Sequence, residues 1–414
     1  MSADISEKET IETPAVHRDT FEEASFRRLR EYFELCLLGA GICAMLIWLP
    51  VRYFFDGTAR FNALLALIQH GVISPVSYSM VGPLFSLMLW PLDRLFPLFG
   101  ETNWWQERYN IFLLAAVFAL TYVILCRRMD AALLRKFFLI ILVGSMFGNN
   151  VTFFAGETFT ALLVGMGILV ALLAWEVIGW FVVVLGVVNT PATLVGLSLV
   201  TLNHIIQKKR VRYCLMVIAA GLLIAAESWI RRGNPLNGGY ENQTFSTPFL
   251  LGLISILFSF GKGILFFAPA LLLPVKNFLK DTGEKFQTLY HAYKLWMLFV
   301  VGLVLVYSSW WAWYGGWSWG PRFFLFASIP ASFALAVRLR YQSRSIFANL
   351  LTLLFLGYSL WVGIDGAIFD QSDLANTCTV HNYAQEYLCH YNPLYSALWR
   401  PFEVHSSLTH KDIF

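Results

Sequence analysis

The chain has 414 residues, 57% of them hydrophobic and 16% aromatic, with only 14% charged and a mean hydropathy of +0.60. Soluble domains carry about a quarter charged residues, so this composition excludes a water-soluble globule, a disordered chain and a disulfide-rich miniprotein, and it points to a polytopic all-α membrane protein. The net charge of +4 is no nucleic-acid signature; the basic residues sit in short clusters between apolar runs, as topology signals do.

Residues 1–30 read as a flexible cytoplasmic tail, polar and acidic at first and ending in Arg27, Arg28 and Arg30. The apolar run 33–55 follows and reads as an uncleaved anchor, because no small-residue cleavage site stands near its end. The stretch 61–99 is apolar but interrupted by Pro75, Pro83, Pro91 and Pro97 and by Asp93 and Arg94, which predicts interfacial or half-inserted helices rather than a span. Further apolar runs lie at 108–126, 136–155, 157–175, 177–190, 191–206, 213–230, 264–279, 293–313, 323–338 and 346–364, whereas 248–260 is too short to cross alone. A hydrocarbon core of about 30 Å needs about 20 apolar residues per helix, so the expectation is a bundle of about eleven spans within 31–365, followed by a short extracytoplasmic tail, 366–414.

Lys and Arg set the orientation. With the N-terminus inside, two thirds of the basic residues fall on the inside, in clusters such as Arg127/Arg128/Arg135/Lys136, Lys208/Lys209/Arg210/Arg212 and Arg338/Arg340/Arg344. The outside segments are then 56–107, 231–263, 314–322 and the tail. Cys378 and Cys389 lie in that tail and would close a loop of about 12 residues; a bridge there would stabilise by roughly 3 kcal/mol and suits an oxidising compartment, the alternative being two free thiols.

A charge at membrane depth is costly unless paired or wet, so charges beside apolar runs on one face attract interest. Asp56, Glu157, Lys262 and Arg322 all fall on the outer side of this topology, from four distant parts of the chain. One carboxylate would serve as general base toward an acceptor hydroxyl, and a second would orient the acceptor or share a divalent metal, Mg or Mn. A Lys and an Arg would hold a phosphate, the Arg in bidentate fashion. Each has a plainer reading: Asp56 capping the next helix, Glu157 favoured by a helix dipole, Lys262 snorkelling, Arg322 pairing with a headgroup or carboxylate. The tryptophans 310, 311, 313, 317 and 319 form either an interfacial aromatic belt or a sugar-stacking platform. No phosphate loop, HExxH, GxSxG or DxD is present. Gly144-xxx-Gly148 has the spacing of close helix packing.

These residues resemble the polytopic, lipid-carrier-dependent glycosyltransferases of the GT-C fold, the class holding protein O-mannosyltransferases and aminoarabinose transferases. The resemblance covers roughly 30–365. It rests on Asp56 after the first span, on Phe153-Phe154-Ala155-Gly156-Glu157, and on three further stretches: Arg231 to Tyr240, with Arg231-Arg232-Gly233-Asn234-Pro235 at its start; Phe258 to Pro269, around Gly261-Lys262-Gly263; and Trp313 to Phe323, with Gly315-Gly316-Trp317-Ser318-Trp319-Gly320-Pro321-Arg322. It implies Asp56 as general base, Glu157 assisting or binding metal, Lys262 and Arg322 on the carrier phosphate, and Tyr240, with Trp317 and Trp319, lining the substrate site. The implied partners are a polyprenyl-phosphate-linked sugar donor, an acceptor of lipid, glycan or protein nature, and membrane lipids. Two departures stand out: only a short tail follows the last run, where some members carry a large soluble domain, and Glu rather than Asp stands at 157. A transporter or lipid flippase is the competing class; it would place its charges near the bilayer midplane on broken helices.

Overall fold

The computed structural model describes residues 21–52, 55–75, 79–239, 244–316, 318–368 and 386–399. Every named element is a helix, and the described residues hold no strand beyond one isolated parallel bridge, Arg52 to Phe153. Among the described residues, five helices are long and apolar enough to cross a membrane: Arg28–Trp48, Val211–Arg232, Phe286–Tyr307, Arg322–Arg340 and Ile346–Ile368. Shorter apolar helices accompany them at Tyr109–Leu125, Glu157–Leu173, Glu176–Val188 and Phe249–Phe258. This is the architecture of an α-helical integral membrane protein. Lipid offers no hydrogen bonds, so an apolar segment must satisfy its own backbone, and the helix does so within the segment.

Burial separates core helices from lipid-facing ones. The Arg322–Arg340 window is 83% buried, whereas Val211–Arg232 and Ile346–Ile368 are 22% buried and expose rows such as Leu215, Ile218 and Leu222. Around the central helix, Phe333 packs on Trp296 and Phe137, with ring centroids 5.3 and 5.5 Å away. Small residues let backbones touch, as membrane packing favours. A Cβ at Gly302 would lie 2.4 Å from Gly196 Cα, and one at Gly148 would lie 2.9 Å from Gly363 O. The Gly144/Gly148 spacing is thus a seam against the Ile346–Ile368 helix.

Several boundaries differ from the sequence expectation. The first helix runs Phe21–Trp48, not 33–55, because its early polar turns join the Glu31–Glu34 ion-pair network. Asp56 therefore does not end a span but stands in the first turn of a second helix, Phe55–His70. The run 136–155 is helical only over Ala131–Val143; it breaks at Gly144 and resumes as the single turn Phe147–Asn150. The run 264–279 is no continuous helix but three short pieces, Ile264–Phe267, a 3-10 turn Pro269–Leu272 and Lys276–Leu279. Pro269 and Pro274 remove the backbone donors a continuous helix needs. The proline-rich stretch 61–99 is broken as expected, its later part into Val81–Leu84, a 3-10 turn Phe85–Leu89 and Trp90–Leu95.

Side-chain ties define two ends of the bundle. At one end, Tyr122 and Arg135 bond Glu31, and Glu34 takes Arg135, Lys136 and Arg30. Asp130 caps the Ala131–Val143 helix and pairs with Arg340 at 2.5 Å. Burial there acts to raise the Asp130 carboxyl, but the Arg340 guanidinium and the capped N–H groups outweigh it and hold it below the usual aspartate range. Arg108, beside the start of the Tyr109–Leu125 helix, reaches Leu46 O near the end of the first helix, so these two helices run antiparallel and the opposite end begins here.

Candidate functional site

Three of the four singled-out charges meet at that opposite end. Asp56 and Glu157 stand in the first turns of the helices Phe55–His70 and Glu157–Leu173, where the helix dipole favours a carboxylate. Arg322 opens the 3-10 turn Arg322–Ala327 that feeds the buried helix Ser328–Arg340. Its guanidinium donates to Asp56 Oδ2, and its Nε lies 3.9 Å from Glu157 Oε1. All three side chains are 13–15% exposed, so the group is largely withdrawn from solvent.

Local packing brings these distant segments together. Arg52 N donates to Thr152 O at 3.0 Å, Gly57 lies against the Phe154 backbone, and Phe61 meets Phe154 edge-on at 5.1 Å. Asn110 donates to Phe153 O and, at 3.1 Å, to Ala155 O, fixing the chain just before Glu157. Asn189 is the fastener on the other side. Fully buried, it donates to Gly156 O at 2.7 Å and Thr160 Oγ1 at 3.1 Å while accepting from Gly82 N at 2.8 Å. A Cβ at Gly156 would fall 2.4 Å from both Asn189 Nδ2 and Arg60 NH1, so a larger residue would force the buried Asn189 and the Arg60 side chain to shift.

Lys262 has a different station from the one expected. It is 7% exposed, and its ammonium donates to Gly316 O at 2.9 Å, Gly320 O at 3.0 Å and Ser318 O. It therefore fastens the loop that delivers Arg322 rather than standing beside the carboxylates. That loop turns through Gly315, Gly316 and Gly320, with φ of 78°, 77° and 64°, which favour glycine. Trp319 is likewise a correction. It is 3% exposed, packs edge-on to Phe267 and donates its indole N–H to Asp365 Oδ2 at 2.8 Å, so it is a core anchor and presents no stacking face to a substrate. Tyr240, Trp317 and Cys378 lie outside the described residues. Cys389 is disulfide-bonded and buried, and its segment lies over the Lys262 loop, with Gly261 N donating to His390 O at 3.1 Å.

Asp56 and Glu157 do not fit a metal site. The Arg322 cation bridges them, and among the described residues no three of His, Cys, Asp and Glu converge. The Arg231-Arg232-Gly233 motif also serves an anchoring purpose. Glu227 accepts from Met80 N at 3.2 Å and pairs with both arginines, while Arg231 donates to Ser74 O at 3.2 Å, which docks the proline-rich 61–99 stretch on a helix end. Asp93 fastens the same stretch through Trp105 N and Gln106 N; burial pushes its carboxyl up despite those two donors.

Sequence reasoning missed Arg60 and Asn189. Arg60 stands one helical turn after Asp56, the i,i+4 spacing that puts both on one face, and that spacing was the available signal. Asn189, inside the apolar run 177–190, carried none. No family model, curated protein or solved structure matches the chain.

Proposed function

We propose that this protein is a membrane glycosyltransferase of GT-C-like architecture that moves a sugar from a polyprenyl-phosphate carrier to an acceptor at the extracytoplasmic face. The observation that carries the reading is the convergence of Asp56, Glu157 and Arg322 from three distant segments at one end of a membrane bundle. The opposite end holds the clusters Arg30, Arg135/Lys136 and Arg340, which the positive-inside tendency assigns to the cytoplasm. Eleven passes follow if the broken runs 131–150 and 264–279 each count as one. The ties of Arg338 over the Phe278 ring and of Lys262 to the Arg322 loop support the second of these, since they hold its two ends at opposite ends of the bundle.

The chemistry uses one exchangeable guanidinium. Arg322 engages Asp56. A carrier phosphate entering beside it competes for the same fork of donors, and a guanidinium binds phosphate in bidentate fashion. When Arg322 turns to the phosphate, Asp56 is released to accept a proton. The acceptor hydroxyl oxygen then attacks the anomeric carbon from the face opposite the phosphate, and its proton passes to Asp56. The carbon–oxygen bond to phosphate breaks with its electron pair on the phosphate oxygen, releasing polyprenyl phosphate and inverting the anomeric centre. Glu157 orients the acceptor. Lys262 acts as a positioning residue through the 316–320 loop.

The test is transfer from a polyprenyl-phosphate-linked sugar in proteoliposomes, after mass spectrometry of the lipid-linked sugar that copurifies with the protein. Asp56→Asn is expected to abolish transfer while leaving the protein folded and inserted. Full transfer by that variant would remove Asp56 from the mechanism.

A further inference from the structure

Beside Glu157 lies a small hollow whose chemistry is one-sided. Its polar wall is Glu157, Thr160, Thr190 and Thr193; its apolar wall includes Phe299, Phe323 and Phe326. The hydroxyl protons of the polar wall are all committed. Thr160 Oγ1 donates to Gly186 O at 2.8 Å, so the 2.8 Å contact between Thr160 and Thr190 places the Thr190 proton on Thr160. Thr193 Oγ1 donates to Thr190 O at 2.6 Å. Glu157 Oε2 is buried and accepts no hydrogen bond. What remains to the hollow is therefore acceptance only: lone pairs on Thr190 and Thr193 and a carboxylate oxygen. A buried acceptor without a donor is costly, so the hollow favours an incoming donor and repels an anion. Its size suits a single water-sized group.

We infer that this hollow is a sugar-recognition subsite that receives one donor hydroxyl of the transferred hexose, the buried phenylalanines Phe299 and Phe326 closing its apolar side. It divides the labour with Arg322, which attracts the anionic phosphate: one side of Glu157 meets a cation, and the other awaits a hydroxyl. The inference rests on the transferase reading and adds how the enzyme distinguishes a sugar-bearing carrier from a bare one.

The experiment measures affinities of the full-length protein in nanodiscs for synthetic polyprenyl phosphate, bare and bearing glucose, mannose or galactose. The wild type is expected to bind at least one hexose-bearing carrier about tenfold more tightly than the bare carrier, the magnitude of one buried hydrogen bond to a charged or hydroxyl acceptor. Thr190→Val and Thr193→Val should each remove most of that preference and leave bare-carrier affinity unchanged, while Thr193→Ser, which restores the hydroxyl, keeps it. Thr190 is only half-buried, so its variant carries the test if Thr193→Val does not fold. Undiminished preference in the folded valine variants, or equal wild-type affinity for bare and hexose-bearing carriers, overturns the subsite and leaves the transferase reading in place. Failure of the wild type to bind any of these carriers overturns both.

Discussion

The Glu34 cluster and the Asp56 cluster both join carboxylates to cations at opposite ends of one bundle, yet Glu34 and Glu157 differ in how fully their oxygens are met. Glu34 is 7% exposed on its side chain and takes three cations, Arg135 at 2.7 Å, Lys136 at 2.8 Å and Arg30 at 3.2 Å. Asp56 and Glu157 share Arg322, and Glu157 is met only at 3.9 Å with its second oxygen accepting nothing. A saturated network of buried charges rigidifies the helices that carry it, because every member is compensated. In the Asp56 cluster the side chains of Asp56, Glu157 and Arg322 are 13–15% exposed and one Glu157 oxygen has no donor. The first joins helices; the second is the site to which the proposed transferase reading assigns the donor and acceptor.

Substitution should separate the two. Asp56→Asn is expected to lower transfer by at least about a hundredfold, the usual loss for a general base, while the melting temperature in detergent stays near that of the wild type. Arg135→Ala should do the reverse: removing one partner of a buried pair costs about 3–5 kcal/mol, read as an earlier thermal transition, with transfer per folded molecule retained. Gly156→Ala straddles both ends of the comparison. Its methyl group would meet Asn189 and Arg60 at 2.4 Å, so it should cost about 1–3 kcal/mol and also displace Glu157, with loss of both stability and activity.

Lys262→Met tests whether this lysine acts through the loop. It leaves three carbonyls without their donor, at about 1–3 kcal/mol, and should raise the donor KM through misplacement of Arg322. The smallest effect belongs to Asp130→Asn. Its carboxyl is held below the ordinary value of 3.8, so its contribution is fully present above that pH and disappears as pH falls through the lowered folded-state pKa. Because Arg340 is 39% exposed, screening limits the pair to about 1 kcal/mol or less. Wild type and variant should differ slightly in unfolding at neutral pH and converge in strong acid.

Much of the helical layout was legible in the sequence because lipid imposes a simple rule: long apolar runs must satisfy their own backbone. The runs around 108–126, 157–175, 177–190 and 346–364 appear as helices with ends shifted by a few residues. Where the sequence misled, a local feature overrode composition, as with Gly144 inside 136–155 and the prolines inside 264–279. Asp56, Glu157 and Arg322 were legible as charges with no topological task. Their meeting was not, since nothing in the spacing from 56 to 322 encodes a contact.

Composition and charge placement alone therefore determined that the chain enters a membrane as helices and which charges required a separate explanation. The tertiary structure decided which of those charges face one another. Trp319, in the same motif as Arg322, turned inward to Asp365, and Lys262, from the separate 260–263 stretch, turned to carbonyls, while Arg322 emerged between two carboxylates. A motif fixes which groups are near in sequence. Whether a buried donor supports the backbone or meets a ligand depends on which acceptors the folded chain brings within about 3 Å, and only packing sets that.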